Sequence, residues 1–163
     1  MAREFSVSLG GATVTGSTTL VFLNPKAAPN FNIEVLRWWI GQSANATSAQ
    51  QRIQINSQAT GFPTLTAATP QALKRADPNV SILVGSTNGF AGTAGVNSSA
   101  DGSGGQLSIW DDAFNVLNGW LNVPTPAETF VFPAGSSSGV GMKFPVAPAT
   151  LTNWAFGCAF REV

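Results

Sequence analysis

The closing segment LTNWAFGCAFREV, residues 151–163, alternates so regularly that an extended strand is the one conformation that sorts its side chains. In a strand, Trp154, Phe156, Cys158 and Phe160 fall on one face, and Ala155, Gly157 and Ala159 on the other. Weaker versions of the pattern recur along the chain. REFSVSL puts Phe5, Val7 and Leu9 on one face, and QRIQINS does the same with Ile53 and Ile55. TTLVFLN, NVSILVG, QLSIW, AFNVLN, ETFVFP and VGMKFPV read as further strands, separated by Gly, Pro, Asn and Ser. In FNIEVLRWWIGQ, Phe31, Ile33 and Val35 alternate before the apolar pattern thickens.

Two regions break the rhythm. FPTLTAATPQALKRADP carries three prolines and is unsuited to a central strand. Within it, Thr69-Pro70 is placed to cap a short helical turn over Gln71–Arg75. Residues 85–105 are Gly-rich with few large side chains, which predicts a long loop, anchored by Phe90 against a neighbour. Residues 1–10 are either a first strand or an N-terminal arm. The sum predicts an all-β, single-domain β-sandwich over 1–163, of jelly-roll type with long Gly/Ser-rich loops; a closed barrel is the alternative.

Composition then limits the chemistry. The chain has no His and no Tyr, and only 10% of its residues are charged, against about 25% in an average domain. Lack of His removes the commonest general base and the commonest metal ligand together. A surface of Ser, Thr, Asn, Gln, Gly and Ala suits close contact with other protein, because few charges need desolvating. It equally suits a Ser/Thr-rich β protein with no partner. The eight basic and eight acidic residues are scattered, which gives no electrostatic footprint for nucleic acid. No apolar run approaches the ~18 residues of a membrane-spanning helix. The opening MAREFSVSLGG lacks the apolar stretch of a signal peptide. Cys158, the single cysteine, sits at core spacing in the last strand and reads as a small buried hydrophobe.

Candidate motifs thin out under the same test. GSSSG at 135–139 fits the nucleophile-elbow spacing around Ser137, but a strand follows where a helix is needed, and no His exists. It reads as a hairpin loop. Asp111 and Asp112, with Asp101, lack the spacing of a calcium loop. No basic residue lies near the Asp pair in sequence, and Asp112 suits a turn ahead of AFNVLN. Asp111, Asp112 and Glu128 supply carboxylates for glycoside hydrolysis only if a suitable pair converges. Asn118-Gly119 is a hairpin signal, and Pro124 and Pro126 stop GWLNV from continuing as a central strand. No enzyme activity, metal or cofactor is expected.

The tryptophans are more informative. Trp38 and Trp39 are neighbours, so on a strand one joins the core and the other points outward or against another layer. An outward Trp on a chain this poor in charge marks an interface, or else a loop of the same chain covers it. Trp38, Trp39, Phe90 and Trp120 are therefore the interface candidates. The small face of the last strand lets another backbone approach, from this chain or a neighbour.

FSVSLGGATVTGSTTLVFLNP, IGQSANATSAQQRIQI, FPTLTAATPQALKRADP, DAFNVLNGWLNVPTPAE and the closing WAFGCAFREV occur in that order. In this order and in composition, the chain resembles a group of small head proteins of tailed phages and prophages, over nearly its whole length. The resemblance implies a β-sandwich that decorates or cements an assembled capsid, often as a trimer at lattice junctions. It supplies no motif whose functional residues transfer to this chain. The expected partners are the major capsid protein and further copies of the chain, a trimer being favoured, with no nucleic acid and no membrane. The expected location is the outer capsid surface of the virion, after synthesis in the host cytoplasm. The alternative is a sugar-binding β-sandwich module of a phage tail or fibre, used in host adsorption. An outward Trp38 or Trp120 flanked by amides favours sugar; the same residues buried between subunits favour cement.

Overall fold

In the computed structural model, which describes residues 3–25, 31–44, 47–74, 80–87, 92–133 and 138–163, the alternating segments become strands. In chain order these are β1 (Arg3–Ala12), β2 (Thr19–Asn24), β3 (Ile33–Gln42), β4 (Gln50–Gln58), β5 (Thr64–Ala67), β6 (Gln71–Ala72) and β7 (Val84–Gly85). They continue with β8 (Thr93–Ala100), β9 (Gln106–Asn115), β10 (Trp120–Asn122), β11 (Phe130–Phe132), β12 (Gly139–Lys143) and β13 (Trp154–Glu162). No α-helix occurs among the described residues.

The strands form two sheets that pack face to face. Sheet A has the order β10-β3-β13-β1-β6, with β11 also paired to β3. Sheet B has the order β5-β8-β2-β12-β4-β9, with β7 also paired to β8. Every pairing is antiparallel except β7 with β8. From sheet A, Phe5, Val7, Ile33, Val35, Trp38, Ile40, Phe156, Cys158 and Phe160 enter the core. They meet Val21, Leu23, Ile53, Ile55, Val96, Val140 and Met142 from sheet B. Alternation thus does in three dimensions what it signals in sequence, with one apolar face per strand turned to the other sheet.

A bulge decides which tryptophan goes inside. Phe160 pairs with Val35 and Ala159 with Arg37, so Leu36 is an extra residue in β3. Without it, Val35 facing inward would bring Arg37 and Trp39 inward too, by period two. The extra residue reverses the phase, so Trp38 and Ile40 are buried and Trp39 faces out. This is why the apolar pattern thickens at Leu36–Ile40.

Several expectations are corrected. Residues 85–105 are not one long loop: β8 runs through them between β5 and β2, with Ala94 and Val96 in the core. Its small residues are a packing requirement, since a Cβ at Gly95 would come within 2.6 Å of the Leu65 side chain. No helical turn forms at Gln71–Lys74, and Arg75 lies outside the described residues. Instead Gln71 and Ala72 pair with Ser6 and Phe5, and the Leu73 amide donates to the Glu4 carbonyl at 2.9 Å. One isolated helical turn fixes several residues for a single bond, so the waiting edge of β1 wins. Of the described residues of NVSILVG, 80–85, only Val84 and Gly85 pair as a strand, and Asn79 lies outside the described residues. Of the two readings of residues 1–10, the first strand is the one found over 3–10, where β13 and β6 flank it.

Asn118-Gly119 does not close a hairpin. β9 belongs to sheet B and β10 to sheet A, so the turn carries the chain across the sandwich. Only Gly119 takes positive φ, at 68°, whereas the two-residue hairpin turn needs it at both positions. GSSSG likewise joins β11 of sheet A to β12 of sheet B; Ser137 itself lies outside the described residues.

Candidate interface at the open side of the sandwich

QLSIW and the first three residues of AFNVLN, expected as two strands, form the single strand β9 at the edge of sheet B, and Val116, Leu117 and Asn118 turn away after it. Among the described residues β9 pairs only with β4, so along its other side the backbone N–H and C=O groups have no strand partner there. Every residue from Leu107 to Ala113 is exposed, with Leu107 72% and Trp110 39% accessible. Ile109 is the extra residue of a bulge, because Ile55 pairs with Trp110 and Asn56 with Ser108.

Three contacts join β9 to sheet A at points along this side. The Trp110 ring meets Phe130 of β11 edge-on at 6.5 Å between centroids. The Trp120 indole N–H of β10 donates to Asp112 Oδ2 at 2.9 Å. Phe114 packs edge-on against Trp154 at 6.4 Å. Leu117, Leu121, Val123 and Val131 are exposed on the adjoining β10 and β11 flank. Exposed large apolar side chains therefore occur on both edge regions, on β9 and on the outer face of β10 and β11, where Leu121 stands opposite Trp39 and Val131 opposite Glu34.

The acids at this side are structural. Asp112 lies within a strand, not at a turn as expected, and its Oδ1 accepts its neighbour Ala113's N–H at 2.7 Å. Asp111, on the opposite face, does have a basic partner. Gln54 donates to it at 2.6 Å, and Arg52 donates to both of its oxygens at 3.0 Å. The Gln54 bond first, and then Arg52, hold its carboxyl below the usual carboxylate range. The sequence hides this pairing because β4 and β9 are separated by about fifty residues. Asp101 is held elsewhere, by the Thr19 amide and hydroxyl at 2.7 and 2.8 Å and by the Lys143 ammonium. Glu128 accepts from the Thr125 hydroxyl at 2.8 Å. The acids thus engage separate partners, and no cluster of three potential metal-ligating residues occurs among the described residues.

The four candidates divide. Trp38 is wholly buried in its own chain and is not available to a partner. Phe90 lies outside the described residues. Trp120 is half-buried, packed against the core with its N–H on Asp112. Trp39 is half-buried on the outer face of sheet A, where a Cβ at Gly157 would strike its ring at 2.4 Å. The small face of β13 thus admits an indole of the same chain. Cys158 lies in the core, where burial pushes its thiol pKa well up, so it is not a nucleophile at neutral pH.

Sequence reasoning missed the β9 residues Leu107, Ile109 and Trp110. Their signal was present, as an apolar run ending in Trp beside two acids, but edge position is a property of topology. No protein-family model, no curated protein and no solved structure matches this chain.

Proposed function

We propose that this chain is a non-enzymatic structural protein of a virion, a capsid decoration (cement) protein. It attaches to the outer surface of an assembled shell, against the major capsid protein, and strengthens capsomer junctions. The jelly-roll assignment within the two-sheet architecture belongs to the same reading, as does a trimer of copies at each junction. The observation that carries it is the open side of the sandwich. A free ten-residue edge strand bears Leu107, Ile109 and Trp110, beside exposed Leu121, Val123 and Val131 on the neighbouring sheet. Backbone groups along β9 offer hydrogen bonds to an added strand, and the apolar side chains offer area that costs little to desolvate.

The low charge of the chain and the likeness to phage head proteins support the same reading. Weak contact at each copy suffices, because repetition over a symmetric shell multiplies it. The test is sedimentation of purified protein with bare, expanded capsids of the phage that encodes it, together with an inventory of mature particles. Saturable binding at a fixed number of copies per capsomer is expected. Failure to bind, with particles lacking the chain, removes the reading.

A further inference from the structure

We propose that the Trp39 face of sheet A is a saccharide-binding site that favours acidic sugars. The site lies on the outer face of sheet A and borders the capsid-contact side at Leu121, but its test reads sugar binding by the isolated chain, so either reading can fail without the other.

The platform comes from a pairing. Trp39 stands opposite Gly157 in the β3–β13 register, and a Cβ there would lie 2.4 Å from Trp39 Cζ2 and 2.8 Å from Cε2. Glycine therefore lets the indole settle against the β13 backbone, where it stays partly accessible on the outer face. A cleft of about 440 Å³ opens beside it, lined by Trp39, Gly41, Gln42, Asn118, Trp120 and Leu121 among others. A second space of about 230 Å³ lies between Arg37, Trp39 and Leu121. The turn that forms one wall is fixed by the Val116 amide on the Ala49 carbonyl at 3.0 Å and the Leu117 amide on Asn115 Oδ1 at 3.0 Å.

The chemistry of the lining selects the ligand. An indole presents a broad apolar surface, on which the C–H face of a pyranose ring stacks. The exposed Asn118 side-chain amide exchanges hydrogen bonds with ring hydroxyls, whereas the Gln42 amide already donates to the Thr150 and Thr152 carbonyls. No carboxylate lines either space. The Arg37 guanidinium lies over the Trp39 ring, 5.6 Å from its centroid. This exposed side chain shares the ring with any ligand and must shift to the rim as a sugar stacks. Among the described residues it takes part in no ion pair, unlike Arg3, Arg52 and Arg161. An unpaired guanidinium beside a stacking platform matches a ring carrying a carboxylate, which it binds through two parallel N–H donors. The site therefore takes a sugar with an acidic substituent, such as a uronic acid residue in a surface polysaccharide.

Isothermal titration of the full chain with a hexamer of galacturonic acid and with a hexamer of glucose tests this. The acidic hexamer is expected to bind saturably, at least about tenfold tighter than the neutral one. Arg37→Gln is expected to remove that preference, while Trp39→Ala abolishes binding of both with the β-sheet circular dichroism unchanged. Arg37 is exposed, so its variant keeps the test valid if Trp39→Ala fails to fold. No binding of either hexamer at millimolar concentration overturns the proposal. So does equal binding of the two, or binding that survives a folded Trp39→Ala variant.

Discussion

At the scale of single residues, the two adjacent tryptophans carry opposite consequences. Trp38 fills the core with no accessible surface, so Trp38→Ala is expected to cost about 3–5 kcal/mol in chemical denaturation. Trp39→Ala removes a half-buried ring from an outer face and is expected to cost no more than about 1 kcal/mol. The sequence states that the two must diverge but not which enters. The answer depends on Leu36 being skipped in the register, and a bulge leaves no composition mark in this segment. Asp111 supplies a pH test. Its folded pKa lies below the ordinary value, so whatever stability the Gln54 and Arg52 bonds give is present above the unfolded pKa. That contribution is lost as pH falls through the folded pKa, in the acid range below about 4. Carboxyl-detected NMR titration should find Asp111 below the ordinary aspartate value in the native protein, and moved upward in Gln54→Ala. An unmoved titration would mean that the Gln54 bond is not formed in solution.

At the scale of elements, glycine misleads and then explains. The Gly-rich stretch around residues 85–105 reads as a loop by composition, yet β8 lies inside sheet B with Leu65 packed over Gly95. Amides of Val96 and Ala94 are therefore expected to be protected in hydrogen exchange, like those of β2 and unlike those of an open loop. Gly95→Ala would press on Leu65 and is expected to cost about 1–3 kcal/mol. A stronger case lies where residues 101–105 clasp the Thr60–Phe62 turn. A Cβ at Gly104 would come 1.6 Å from the Thr60 carbonyl oxygen, a backbone atom that cannot swing aside. Gln58 ties the same clasp by donating to the Gly61 carbonyl at 2.8 Å and the Asp101 carbonyl at 3.2 Å. Gly104→Ala is accordingly expected to lower the melting temperature more than Gly105→Ala, where the added Cβ meets nothing within 4 Å. The strands with one apolar face, β1, β4 and β13, were legible in sequence because their pattern is self-contained. β6, β8 and the crossing after β9 were not, because a distant partner determines each.

At the scale of the whole molecule, the two sheets leave one side unfinished. The core draws apolar side chains from both sheets, but Leu107, Ile109 and Trp110 of β9, with Leu121 and Val131 on the outer face of β10 and β11, stay exposed along the two edges. The position of that side was not readable from the chain, since it depends on β9 lying outermost in sheet B. The neutral surface and the tryptophan face were readable in kind, and their neighbours in space were not. The assembly reading stands on β9 making contact in the particle, and Ile109→Lys tests it most directly. Ile109 is an exposed bulge residue, so a charge there leaves the core untouched. Titrating bare capsids with the wild-type chain and with Ile109→Lys gives the measurement, with thermal melting as the folding control. Saturable wild-type binding is expected, with at least about tenfold weaker binding of a variant that melts as the wild type does. Equal binding by the two would contradict the assembly reading.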